Sequence, residues 1–199
     1  MPTEILAPAS HGRGADVWQN GWHRWANRVP SPNFGPRPTN AVVDLAVIHS
    51  ISLPPGEYGT GAVHALFTNV LDWNAHPYFD SIRGLRVSAH FFIARNGSLW
   101  QFVSGDDRAW HAGVSHYRGR DNCNDDSIGI ELEGLEGDLF ETAQYQALAT
   151  LLHDLASAYP LRYVAGHSHI APGRKADPGV GFCWATLRAN TAALALEFP

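Results

Sequence analysis

Three runs of the chain are apolar at nearly every position and too short for anything but buried strands. Residues 44–51 (Asp-Leu-Ala-Val-Ile-His-Ser-Ile) stop just before Pro54-Pro55-Gly56 and read as a central strand. Residues 127–134 (Ser-Ile-Gly-Ile-Glu-Leu-Glu-Gly) read as a second, and residues 161–165 as a short third that delivers His167 near its C-terminal end. Residues 87–94 and 98–103 are β-rich and joined by Asn96-Gly97, a hairpin turn signal. Helical spacing appears over residues 62–71, at Ala62, Leu66 and Val70. It is longest over residues 142–158, where Tyr145, Leu148, Leu151, Leu152 and Leu155 share a stripe that should cover one face of a sheet. Thr142 is a candidate cap for that helix, and a closing helix is expected over residues 184–196, with Trp184, Leu187 and Leu194 on one side. Residues 1–20 show no sustained period and are expected to be a loose arm; residues 21–40 mix prolines with Trp22, Trp25 and Phe34, expected as aromatic anchors of an irregular wrap.

Composition narrows the picture. With 199 residues, 45% of them hydrophobic, the chain can bury one substantial core, so a single globular unit is expected. A net charge of -5 and the lack of a basic run argue against nucleic acid as a partner. No stretch approaches the roughly 20 apolar residues that span a bilayer, which argues against a membrane span. The N-terminus lacks the pattern of a secretory signal, so a cytoplasmic location is expected. Cys123 and Cys183 lack metal or disulfide spacing and read as free thiols.

Candidate chemistry concentrates in residues 166–179, where His167, His169, Arg174, Lys175 and Asp177 lie among glycines and prolines. His167 and Asp177, joined by His49 near the end of the first strand, make three candidate zinc ligands, because a hydrolytic zinc takes three His or carboxylate ligands and keeps a fourth position for water. Such ligands can meet if the strand ends lie side by side. Each of the three taken alone is ordinary: a loop histidine, turn chemistry before Pro178, a buried imidazole. Glu131 and Glu133 fall on one face of an apolar strand, where carboxylates need work or partners. Glu131, deeper in the run, is the candidate general base, and Glu133 a hydrogen-bonded neighbour. Arg86 reads equally as a contact for an acidic substrate group and as a solvated charge. Trp110 and His111, before Ala112-Gly113, suit a ligand-facing loop, and packing accounts for Trp110 as well. His64, His76 and His153 read as bystanders; His90, inside a strand, reads as structural at least as readily as functional.

Five segments, Val47-Ile48-His49, Val87-Ser88-Ala89-His90-Phe91, Trp110-His111-Ala112-Gly113, Ser127-Ile128-Gly129-Ile130-Glu131 and the loop from Gly166, resemble in order the zinc N-acetylmuramoyl-L-alanine amidases, and within them the AmpD-type branch acting on 1,6-anhydro-N-acetylmuramyl peptides. The resemblance runs from about Gly21 to Trp184. It implies an α/β fold: a single-domain mixed β-sheet flanked by helices, similar to peptidoglycan recognition proteins and phage amidases, with the amidase domain over residues 21–199. It implies one Zn2+ held by His49, His167 and Asp177, with Glu131 and Lys175 as the catalytic pair and Ser50, Arg86, Trp110 and His111 near the substrate. The implied activity is hydrolysis of the amide between the lactyl group of muramic acid and L-alanine of the stem peptide, in the cytoplasm during peptidoglycan recycling. The implied partner is a small muropeptide. A non-catalytic peptidoglycan-binding module and a zinc peptidase acting within the stem peptide are the rival readings. Three positions depart from the family pattern: Ser50 stands where relatives usually carry asparagine, Asn122 where close relatives carry arginine, and His169, an alternative ligand by spacing, where relatives often carry an acid.

Overall fold

A computed structural model describes residues 17–199. In chain order its strands are β1 (Trp18–Gln19), β2 (Trp22–His23), β3 (Asn27–Arg28), β4 (Phe34–Gly35), β5 (Leu45–Ile51), β6 (Phe91–Ile93), β7 (Leu99–Gln101), β8 (Arg108–Ala109), β9 (His116–Tyr117), β10 (Arg120–Asp121), β11 (Ser127–Glu133) and β12 (Tyr163–Gly166). The helices are α1 (Ala62–Phe67), α2 (Thr142–Ala158), α3 (His167–Ile170) and α4 (Trp184–Asn190). Six strands form one mixed sheet in the order β12-β5-β11-β6-β7-β3. The four from β12 to β6 run parallel, and β7 turns back antiparallel to β6. This is the expected mixed sheet flanked by helices.

Because successive side chains on a strand point to opposite faces, the apolar runs feed both sides of the sheet. On one side, Ala46, Ile48, Ile128, Ile130, Leu132 and Val164 meet Tyr145, Leu148, Leu151, Leu152 and Leu155 of α2 and Leu187 of α4 in a continuous core. On the other side the apolar packing is divided. Leu45 and Val47 pack with Ala112, Cys123, Ala165 and Ile170, while Phe92 packs with Leu66 and Phe67 of α1 and with Phe102. The register pairs His49 with Glu131 and Glu131 with Phe92, so the two polar side chains occupy one row of this second face.

Several expected boundaries shift for local reasons. Helix α1 stops at Phe67, where the Thr68 hydroxyl donates to the His64 carbonyl and Asn69 takes a positive φ of 60°. Helix α2 starts at Thr142, with Glu141 as its cap residue and the Glu141 N–H bonded to the Gln144 side chain. The closing helix ends at Asn190; the buried Thr191 hydroxyl donates to the Leu187 carbonyl, and the chain turns so that Glu197 pairs with the edge at Tyr163. Of the arm expected over residues 1–20, residues 1–16 lie outside the described residues. From Val17 on, the chain is fixed: Val17 is buried and the Trp18 indole N–H donates to the Asp154 carbonyl. The wrap over residues 21–40 is anchored differently from the expectation. Trp22 is half-buried with the Arg28 guanidinium over its ring, but Trp25 and Phe34 are exposed, and polar anchors carry much of the wrap: the buried Asn33 donates to the Val87 carbonyl, and the half-buried Arg37 donates to the carbonyls of Asn124, Asp125, Gly105 and Ser127. Burial lowers the Arg37 pKa to about 10, which still leaves it a cation at neutral pH. Among the described residues no helix is long and apolar enough to cross a membrane.

Candidate metal centre and cleft

His49 stands near the C-terminal end of β5, and β12, pairing on its other side, ends at Gly166. His167 is therefore delivered directly beside it, as the first residue of α3; the segment expected to be irregular begins with this single helical turn. Asp177 returns from the following loop, which is tied down by a hydrogen bond from the Ser168 N–H to the Asp177 carbonyl. Three side-chain atoms then converge. His49 Nδ1 lies 3.0 Å from His167 Nδ1 and 3.0 Å from Asp177 Oδ2, and His167 Nδ1 lies 3.1 Å from the same oxygen. All three residues are buried.

This arrangement fits zinc. Ligands bonded at ~2.0–2.1 Å in a tetrahedron sit roughly 3.3 Å apart, close to the spacing of the three atoms, and a three-ligand set leaves one position open. Both Nε2 atoms face protein groups, His49 toward His111 Nδ1 at 3.0 Å and His167 toward the Ala112 carbonyl at 3.1 Å, so both Nδ1 atoms are directed at the shared point. Burial lowers the His49 pKa to about 4, only partly opposed by Asp177, so the imidazole is neutral and its lone pair is available at neutral pH. Burial would raise the Asp177 carboxyl, but the adjoining His167 and His49 imidazoles outweigh it and hold this group well below the usual carboxylate range.

The triad lies in a cleft of about 550 Å³ whose floor also carries Glu131 and Lys175. Glu131 Oε2 is buried with no hydrogen-bond partner. Burial, reinforced by the negative charge of Asp177 and opposed by Lys175, pushes the Glu131 carboxyl well above its ordinary pKa. Glu133, two residues on, has the opposite fate. Its carboxylate accepts from the backbone N–H groups of Gly59 and Arg95, fastening these two segments to β11, as expected of a hydrogen-bonded neighbour. The apolar part of the lining includes Leu53, Leu66, Phe67, Ile82, Leu85 and Val87.

Ser50 and His111 line the cleft, and the Ser50 hydroxyl is buried without a partner. Arg86 is exposed between two lining residues, Leu85 and Val87, and Trp110 is half-buried beside His111. His169 is directed elsewhere: its Nδ1 accepts from the Gly166 N–H at 3.0 Å and its ring packs edge-on against Trp184, so His167, not His169, joins the cluster with His49 and Asp177. Asn122 engages Arg108 and Asp125. His90 is fully buried, its Nδ1 accepting from the Gly129 N–H, and burial keeps it neutral. His64 packs among Phe92, Trp100 and Phe102, and His76 caps a 3-10 turn over Pro77–Ile82. Sequence reasoning assigns no role to Asn124, Ser127 or Gly129, and Arg174 stands in it only as one of the charges of the loop. One signal was available, since a glycine inside a strand run marks a close approach; a Cβ on Gly129 would lie 2.4 Å from the His111 ring.

Two imidazoles and a carboxylate converging beside a strand-borne glutamate in an open cleft define a candidate metal-dependent hydrolase. Residues 39–180 match the N-acetylmuramoyl-L-alanine amidase family, and the chain belongs to that family. It is 53% identical over 171 residues to the 1,6-anhydro-N-acetylmuramyl-L-alanine amidase AmpD of Citrobacter freundii, covering 85% of this chain and 91% of that protein. A crystal structure of a selenomethionine AmpD derivative superposes with a TM-score of 0.83 at 52% identity, over 86% of this chain and 97% of that one. The fold alone is shared with the Drosophila peptidoglycan recognition protein SD, at 17% identity and a TM-score of 0.55, over 82% of this chain and 89% of that one.

Proposed function

We propose that this chain is a zinc-dependent amidase that hydrolyses the amide joining the lactyl group of 1,6-anhydro-N-acetylmuramic acid to L-alanine of the stem peptide, in cytoplasmic recycling of peptidoglycan. The observation that carries this reading is the convergence of His49, His167 and Asp177 within 3.1 Å of one another, on a cleft floor shared with Glu131 and Lys175, in a chain about half identical to AmpD. Residues 21–199 act in this reading as one catalytic unit.

His49, His167 and Asp177 would hold one zinc ion, which when bound acts as a Lewis acid and makes water nucleophilic near neutral pH. Glu131 moves the proton. Its buried, unpartnered Oε2 and raised pKa suit a carboxylate that accepts a proton from the attacking water and returns it to the departing alanine nitrogen. Lys175 carries an exposed ammonium at the edge of the same floor, where it stabilises negative charge developing on the amide oxygen. Ser50, which lines the cleft, and the exposed Arg86 offer contacts to the muropeptide, and Trp110 offers an aromatic surface next to His111 in the chain.

Incubating the purified chain with a 1,6-anhydro-N-acetylmuramyl tripeptide and weighing the products tests the assignment. The account expects free anhydro-sugar and an intact tripeptide. A shortened peptide still attached to sugar would make the chain a peptidase, and an unchanged substrate would make it a binding module.

A further inference from the structure

Both imidazoles of the triad present Nδ1 to the shared point, and each Nε2 meets one of two consecutive residues, His111 through its ring and Ala112 through its carbonyl. That dipeptide is itself held rigidly. Asn124, a buried side chain, accepts with one oxygen from both the His111 and Ala112 N–H groups, at 3.0 and 2.8 Å. Arg174 donates from the far side to the carbonyls of Ala112 and Val114. The His111 ring lies flat enough against β11 that only glycine fits at position 129, and its Nε2 lies 3.2 Å from the Ser127 hydroxyl.

The hydrogen bonds fix the order of the protons. Ser127 gives its hydroxyl proton to the Cys123 carbonyl, so toward His111 it can only accept. His111 must then carry its proton on Nε2 and offer Nδ1 as an acceptor. That acceptor receives the Nε2–H of His49, which leaves the His49 Nδ1 lone pair facing His167 and Asp177. The Ala112 carbonyl, an obligate acceptor 3.1 Å from His167 Nε2 and nearer than the Arg174 guanidinium at 3.5 Å, selects the same tautomer for His167.

We infer that the His111-Ala112 dipeptide is a positioning element: a proton-ordered chain from Cys123 through Ser127 and His111 sets the tautomer of His49, and the Ala112 carbonyl sets that of His167. His111 thus acts behind the zinc ligand rather than on the substrate, with both of its ring nitrogens committed inside the protein. Asn124, Ser127 and Gly129 hold it there. The inference rests on the zinc reading of the triad, and its test separates the two.

Zinc affinity is measured by competition with a chromophoric chelator for wild type, His111→Leu, His111→Asn and Gly129→Ala, each checked for wild-type thermal unfolding without metal. Loss of a group that orients a ligand typically weakens metal binding by roughly 10- to 100-fold, and His111→Leu should fall in that range. His111→Asn keeps an acceptor near the Nδ1 position and should recover most of the affinity, while Gly129→Ala, which displaces the ring, should behave like the leucine variant. Nitrogen-15 spectra of the wild-type histidines supply a readout independent of metal binding: His111 should be the neutral Nε2–H tautomer. Unchanged affinity in a normally folded His111→Leu, or His111 protonated on Nδ1, would overturn the inference. Absence of zinc binding in wild type would instead remove the zinc reading, and the His111 tautomer would still decide the proton order.

Discussion

The two faces of the central sheet have been built for different ends. The face under α2 carries one continuous apolar core, with Leu148, Leu152 and Leu155 fully buried against Ile48, Ile128 and Ile130. The cleft face divides its apolar residues into two clusters and gives a row of the sheet to His49 and Glu131. Buried polar groups cost stability unless they are partnered. On the cleft face most are partnered, with Glu133 on two backbone N–H groups and His90 on Gly129, but Glu131 Oε2 is not. The contrast teaches that the α2 face supplies the stability that lets the other face keep an unsatisfied carboxylate in the cleft.

The sharpest way to break this contrast is to remove a ligand. His167→Ala should lose its zinc and essentially all turnover while the α2 face, untouched, keeps the chain folded; metal analysis beside circular dichroism checks both halves. Full zinc occupancy in that variant would mean that another residue replaces His167. Next, Glu131→Gln should retain zinc and lose roughly 10²- to 10⁴-fold in turnover, the usual range for a general acid-base group. Near-normal rates would take Glu131 out of the chemistry. On the opposite face Leu148→Ala should cost about 2–5 kcal/mol of stability in urea unfolding, because it opens a cavity in a fully packed core, yet its folded fraction should bind zinc like wild type. A parallel loss of zinc affinity would show that the two faces are not separable.

The smallest effect is a slope. His49, His90 and His111 are held neutral by burial, with pKa values below the ordinary histidine value, so between that value and their folded values the unfolded chain binds the extra protons. Stability of the metal-free protein therefore falls as pH drops from about 6.5 toward 4. Glu131 works the other way: its raised pKa makes the folded chain hold a proton that the unfolded chain releases above its ordinary value, so its contribution is lost as pH rises. Each net proton is worth ~1.4 kcal/mol per pH unit. Urea unfolding from pH 4.5 to 6.5 should give a positive slope that steepens in Glu131→Gln, and an unchanged slope would mean that Glu131 is ionised in the folded chain.

Much of the cleft face was readable in the sequence because strand ends and one short loop deliver its chemistry. His49, Glu131 and His167 each follow an apolar run whose strand character is unambiguous, and the pairing of β5 with β12 and β11 does the rest. What sequence could not reach depends on contacts between distant segments. Asn124 and Ser127 act through a neighbour's ring or backbone, and no local pattern marks an amide that bridges two N–H groups from 12 and 13 residues away. The wrap misled for the same reason. Trp25 and Phe34 looked like anchors by residue type, whereas Asn33 and Arg37 do the anchoring through carbonyls that become available only in the fold.

The central claim is tested most directly by titrating zinc into the metal-stripped chain while product formation from a 1,6-anhydro-N-acetylmuramyl peptide is followed by mass. Release of free anhydro-sugar should rise from near zero and saturate at one zinc per chain. Full release before any metal is added would contradict the account.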